Sequence, residues 1–129
     1  ADLSFSETDR SENIRRVSSV AKLLNSQGYV VVCCFVSPLA EMRNMARDIV
    51  GSDSFFEVFI DADVATCSQR DVKGLYSKAS QGLITNLTGI SAPYESPIDP
   101  DLYINTITAD ESSSIGLLYS QTMSWIKIH

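Results

Sequence analysis

An arginine and an asparagine three residues apart, at the head of a helical pattern and just after an aromatic, form a set of side chains able to hold a nucleotide. The stretch Phe5-Ser-Glu-Thr-Asp-Arg-Ser-Glu-Asn-Ile-Arg-Arg16 supplies them. At that spacing Arg10 and Asn13 share a helix face. The guanidinium can grip a phosphate or sulfate in a bidentate manner, the amide can bond an adenine or ribose edge, and Phe5 can stack on a base. The structural alternative makes Phe5 a hydrophobic staple and the arginines a solvated face shared with Glu7 and Glu12. A second candidate is Phe35-Val-Ser-Pro38, where an apolar run gives way to a helical one carrying Arg43 and Arg47. Free backbone N–H groups at such a helix start can meet an anion, although Ser37 is equally suited to be a plain helix cap. The third candidate runs from Arg70-Asp-Val-Lys-Gly-Leu-Tyr76 through Thr88-Gly-Ile90, basic and punctuated by glycine. It could close over a nucleotide as a lid; otherwise Lys73 and Lys78 are ordinary exposed lysines and Gly82 a helix stop.

The elements that must position these groups alternate. Ser6 with Asp9 reads as a capping pair, and Ile14, Val17, Val20, Ala21 and Leu24 recur at helical spacing up to Gly28. Tyr29 to Val36 is continuously apolar and largely β-branched, as expected of a parallel strand covered on both faces. Ser37 and Pro38 then suit the cap and first turn of a helix bearing Met42, Met45, Ala46 and Ile49 and stopping at Gly51. Phe55 to Ile60 reads as a second buried strand, after which Asp63 caps a helix toward Arg70 and Asp71 starts another, with Leu75, Tyr76 and Ala79 inward. Pro93, Pro97 and Pro100 impose an extended connection. Leu102 to Ile107 is a strand, and Asp110 caps a last helix whose stripe is Ile115, Leu118, Tyr119, Thr122, Trp125 and Ile126. This order predicts a single α/β domain over 1–129 with a parallel sheet and ligands at the C-terminal strand ends, near 36–38, 61–63 and 106–109.

Composition narrows the partners. The 129 residues are 44% hydrophobic, enough for one ordinary core, and 16 acidic against 10 basic residues give a net charge of −6. That balance argues against nucleic acid held by phosphate neutralisation. Cys33, Cys34 and Cys67 are a poor layout for a disulfide framework or zinc site, which favours a reducing, cytoplasmic setting. The only histidine, His129, is terminal, so a histidine-based triad has no residue to use. The longest apolar run is far short of the roughly 20 residues of a membrane span.

Taken in order, the segments at 5–16, 35–38, 70–76 and Thr88-Gly-Ile-Ser-Ala-Pro-Tyr-Glu95 resemble those of the adenylylsulfate kinase family, which phosphorylates adenosine 5′-phosphosulfate with ATP. The resemblance implies a P-loop nucleoside-triphosphate-hydrolase-like three-layer α/β sandwich, ATP and Mg²⁺ as cofactors, and 3′-phosphoadenosine 5′-phosphosulfate as product. It implies no membrane partner, and a homodimer is among the assemblies it suggests. Carried over by motif, Phe5 is the aromatic that stacks on the substrate adenine, Arg10 and Asn13 hold the adenylylsulfate, and Val36 and Ser37 touch the same substrate. Lys73 is a substrate-binding lysine of a lid spanning 71–91, Leu87 covers the adenine, and Thr106 to Ala109 help to seat the ATP adenine.

Two departures accompany the resemblance. Where the family's lid commonly reads Ile-Lys-Gly-Phe-Thr-Gly-Ile-Asp, this chain has Ile84-Thr-Asn-Leu-Thr-Gly-Ile-Ser91. Leu87 therefore lacks a π-stacking contribution of about 0.5–1.5 kcal/mol. The family's Gly-x-x-Gly-x-Gly-Lys-[Ser/Thr] loop and the Asp-Gly-Asp segment that follows it are not in this sequence, so the first strand and P-loop are absent and no catalytic residue is assigned. Without them the chain by itself is expected to lack phosphoryl transfer. A regulatory module that binds adenylylsulfate or a nucleotide without turning it over is the alternative expectation.

Overall fold

The computed structural model describes residue 4 and residues 6–127, and within them the chain packs as two compact units. The first comprises residues up to Phe55 together with Ala92–Ser96. Its helices are α1, Glu7–Asn25, and α2, Ala40–Val50, followed by a single 3₁₀ turn at Ser52–Ser54. The Ser6 hydroxyl accepts from the Asp9 N–H at 3.1 Å, closing the first turn of α1 as its sequence predicts. The two helices pack through Ile14, Met42 and Ala46, with Leu39, Met45 and Phe55 against them, and Met42 is only 2% exposed. The Arg47 guanidinium lies 4.8 Å from the centre of the Phe55 ring, a cation–π contact at the edge of that core.

Three expectations for this unit need correction. Tyr29–Val36 forms no regular element, because no strand among the described residues pairs with it, and most of its side chains are exposed. On α1 the inward stripe is Ile14, Ser18 and Ala21, leaving Val20 and Leu24 exposed. Helix α2 begins at Ala40 with Leu39 at its cap position, not with Ser37 and Pro38. Ser37 instead holds φ 41°, a left-handed conformation rare for a residue with a Cβ and incompatible with an ordinary cap.

The second unit, Phe56–Ser91 with Pro97 onward, holds the sheet. Strand β1, Val58–Asp61, pairs in parallel with β2, Leu102–Asn105, with Val58 opposite Leu102 and Asp61 opposite Asn105. Both strands are shorter than their apolar runs. The Asp101 carboxylate accepts from the Glu57 N–H at 2.7 Å and fixes the register at the ladder's start. The unit also holds α3, Val64–Arg70, α4, Leu75–Ser80, and α5, Glu111–Ile126, the last of which packs on β2. Asp63 and Asp110 cap α3 and α5 as expected, accepting from Thr66 and Ser113 N–H groups at 2.7 and 2.8 Å. Those bonds hold both carboxyls below the usual carboxylate range.

Asp71 does not start α4, whose cap position is Gly74 in a left-handed conformation. Its carboxylate nevertheless reaches forward to the Tyr76 and Ser77 N–H groups, both at 3.0 Å, so its capping chemistry survives a few residues beyond the expected place. Leu75 is exposed rather than inward. Helix α5 is rotated from its predicted stripe: Leu118, Thr122, Trp125 and Ile126 are half-buried, while Ile115 and Tyr119 stand 58% and 68% exposed. The Trp125 ring, inward as expected, packs on Phe56 at 5.2 Å between centroids. Ile104 of β2 is 2% exposed and Phe59 packs on Tyr103 at 5.6 Å.

Candidate functional site

The candidate residues are distributed over both units. In the first, Phe5 lies outside the described residues, while Arg10 is half-buried and Asn13 exposed on α1. The solvated-face reading holds for the neighbouring arginines. Glu12 accepts from Arg15 Nε at 2.7 Å and from Arg16 Nε at 2.8 Å, and these bonds pull its carboxyl down to about 2 from an ordinary 4.5. The depressed value means that this contribution to α1 is present in full above pH 4.5 and fades as pH falls through about 2. Glu12→Gln is therefore expected to flatten the melting temperature of the protein over that window, with a small effect because the pair is exposed and salt-screened. Parallel melting curves of the two proteins from pH 4.5 down to pH 2 check it; identical slopes would refute it.

Val36 is exposed and Ser37 half-buried at the start of the turn into α2. Around this turn four hydrogen bonds converge. Arg43 donates from Nη1 to the Ser37 carbonyl and from Nη2 to the Glu95 carbonyl, each at 2.7 Å. The Glu95 N–H donates to the Pro38 carbonyl at 2.7 Å, and the Glu95 carboxylate accepts from the Ala40 N–H at 2.6 Å. The N-terminus of α2, which the sequence offers to a bound anion, is thus capped by a carboxylate 55 residues away. Arg43 belongs to the second candidate segment and Glu95 ends the last motif, but the sequence assigns neither of them this role. Their signal was present in the Pro-Tyr-Glu end of the last motif, but nothing local connects that motif with 35–38.

In the second unit the strand ends carry the polar groups, as a parallel sheet predicts. Thr106 is half-buried; its hydroxyl donates to the Asp61 carbonyl at 2.9 Å and accepts from Arg70 Nη1 at 3.1 Å. Arg70 Nη2 also donates to the Thr106 carbonyl at 2.7 Å. The Tyr103 hydroxyl donates to the Asp61 carboxylate at 2.7 Å, which raises the phenol's pKa above its usual value. Ala109 is half-buried, its N–H bonded to the Asn105 carbonyl at 3.1 Å, while the Asn105 side chain accepts from the Ile107 N–H at 2.9 Å. Thr106 and Ala109, expected near the ATP adenine, are thus held in place by Asp61, Arg70 and Asn105; the sequence places Asp61 at a strand end and Arg70 in the third candidate segment but does not show that they bond to Thr106.

Lys73 is exposed in the turn between α3 and α4, and Leu87 is half-buried in a turn closed by the Ser91 hydroxyl, which accepts from the Leu87 N–H at 3.0 Å. Gly89 in that turn has φ 83°, which favours glycine, and a Cβ there would also crowd Val64 Cγ2 at 3.1 Å. No group of three or more His, Cys, Asp or Glu that could hold a metal is found among the described residues. No described residue is assigned to Mg²⁺. Cys33, Cys34 and Cys67 are free thiols, and no described helix is long and apolar enough to cross a membrane.

A parallel strand pair alternating with helices, with polar side chains at its C-terminal edge, and close superposition on solved structures place the chain in the P-loop-type α/β class of nucleotide-binding folds. The family model for adenylylsulphate kinase matches residues 1–105, and the chain belongs to that family. An adenylyl-sulfate kinase of Bacteroides fragilis is 45% identical over 99% of this chain and 63% of its own length. The bifunctional enzyme NodQ of Rhizobium tropici is 49% identical over 82% of this chain but only 17% of its own length. Among solved structures, Mycobacterium tuberculosis APS kinase CysC in complex with AMPPNP and APS superposes with a TM-score of 0.82 at 44% identity, covering 92% of this chain and 69% of the other. The chain thus spans less than two thirds of the curated relatives it matches first.

Proposed function

We propose that residues 1–129 are the substrate-binding part of a single adenylylsulfate kinase domain that moves the γ-phosphate of ATP to the 3′-hydroxyl of adenosine 5′-phosphosulfate, giving 3′-phosphoadenosine 5′-phosphosulfate. The observation that carries this reading is the joining of two family motifs distant in sequence: Arg43 and Glu95 bind the 35–38 turn to the Pro-Tyr-Glu segment by four hydrogen bonds. In this reading Arg10 and Asn13 hold the sulfate-bearing nucleotide, Phe5 stacks on its adenine, and Val36 and Ser37 border it. Lys73 and Leu87 approach from the lid at 71–91, and Thr106 and Ala109 seat the ATP adenine. ATP and Mg²⁺ are the cofactors in this reading, and the setting is cytoplasmic.

The test is a turnover assay of the full-length gene product with ATP, Mg²⁺ and adenylylsulfate, in which formation of the 3′-phosphorylated product is expected and its absence overturns the reading. Leu87, where the family commonly has an aromatic, favours one second reading, a module that binds adenylylsulfate for regulation; tight binding without turnover would select it. Within the kinase reading, Arg10→Ala is expected to raise the KM for adenylylsulfate about ten- to a hundredfold, the usual worth of a hydrogen bond to a charged group, and to leave the KM for ATP nearly unchanged. Equal losses for both substrates would make Arg10 structural.

A further inference from the structure

Ser37 is the natural residue to cap α2, yet it does not do so. A serine cap would turn its hydroxyl inward onto a helix N–H and consume it there. Here the Ala40 N–H is taken by the Glu95 carboxylate at 2.6 Å, and no side-chain cap comes from within the turn. The Ser37 backbone has φ 41°, a conformation that a residue with a Cβ adopts only when its surroundings hold it. Those surroundings are specific: Arg43 bonds the Ser37 carbonyl and the Glu95 carbonyl at once, and the Glu95 N–H bonds the Pro38 carbonyl. Pro38 is buried between these contacts.

Resting on the kinase reading above, we infer that Glu95 and Arg43 are positioning residues for adenylylsulfate: by capping α2 from a distance they release the Ser37 hydroxyl and hold Val36 and Ser37 in the conformation that meets the substrate. Neither side chain need touch the nucleotide. The proline-rich stretch is then a strap with a function rather than a passive connection, since residues 92–96 pack with the first unit and carry the cap. Glutamate suits the task because an ionised carboxylate at a helix N-terminus is favoured by both the free N–H groups and the helix dipole. Arginine suits its own because a rigid fork can satisfy two carbonyls together, where a lysine's single ammonium is poorly placed to do so.

The experiment uses the full-length gene product and reads KM for each substrate, kcat and melting temperature for Glu95→Ala, Glu95→Gln and Arg43→Lys. Glu95→Ala is expected to raise the KM for adenylylsulfate about tenfold or more, with the KM for ATP unchanged, since a charge-assisted bond is lost on one side of the site only. Glu95→Gln should recover most of the affinity, because its amide oxygen can accept from the Ala40 N–H. Arg43→Lys should fall between wild type and Glu95→Ala. A rise shared equally by both substrates, a glutamine variant no better than alanine, or an unchanged KM in an active enzyme overturns the positioning role alone. A wild-type enzyme that does not turn over adenylylsulfate overturns the kinase reading itself, so the two failures are told apart.

Discussion

Met42→Ala is expected to lower the unfolding free energy by about 2–5 kcal/mol, the range for truncating a fully buried aliphatic side chain. Met42 is 2% exposed and sits where α1 and α2 meet, against Ile14 and Ala46, with Leu39, Met45 and Phe55 closing the rim. The core of this unit is small, so few neighbours can move in to fill the space. The same cluster anchors α2 and therefore the 36–40 turn that precedes it, and a domain margin of about 5–15 kcal/mol leaves limited room for the loss. Met42→Leu conserves volume and should cost less than about 1.5 kcal/mol. Urea titration of both variants of the full-length gene product decides the matter: an alanine variant as stable as the leucine one would mean that Met42 does not fill this core.

Helix starts that rest on neighbouring residues were legible in the sequence. Ser6, Asp63 and Asp110 each cap the helix that follows, because a short polar side chain reaches an N–H three residues on without help from the rest of the fold. Ser37 has the same local chemistry and was misread, since the N–H it would satisfy is taken by Glu95 from 55 residues away. The same division runs through the helix faces. Periodicity identified Ile14 and Ala21 on α1 but also nominated Val20, and on α5 it placed Leu118, Thr122, Trp125 and Ile126 correctly but also Ile115 and Tyr119, which are exposed. Thr106, expected at a strand end, does lie just beyond β2. Arg70, which fixes it by two bonds, was visible only as one basic residue in a lid pattern. A tertiary bond has no sequence period, and that is why the bonds made by Arg43, Glu95 and Arg70 could not be read from the sequence.

A polypeptide limited to residues 1–129 is expected to self-associate. Tyr29, Val30, Val32, Phe35 and Val36 follow one another with little cover, Val32 being 79% exposed, and no described strand satisfies the backbone between them. Burying a large apolar side chain is worth about 1.5–3 kcal/mol, so several of them together amount to roughly 5–10 kcal/mol of surface seeking a partner. An apolar segment with open N–H and C=O groups is also a template for pairing with its own copy. Because its composition is that of a strand covered on both faces, the segment should be covered in the full-length gene product, whose relatives run well beyond the length matched here. The two situations respond oppositely to one substitution. Val32→Lys should improve the solubility of the 1–129 polypeptide by interrupting the apolar run, yet destabilise the full-length gene product by several kcal/mol through burial of an unpaired charge. Sedimentation, binding of a hydrophobic dye and thermal melting measure both effects. A monomer near 14.2 kDa with a cooperative transition and no dye binding would show that the 29–36 segment is content in water, and a full-length Val32→Lys protein as stable as wild type would show that nothing covers it.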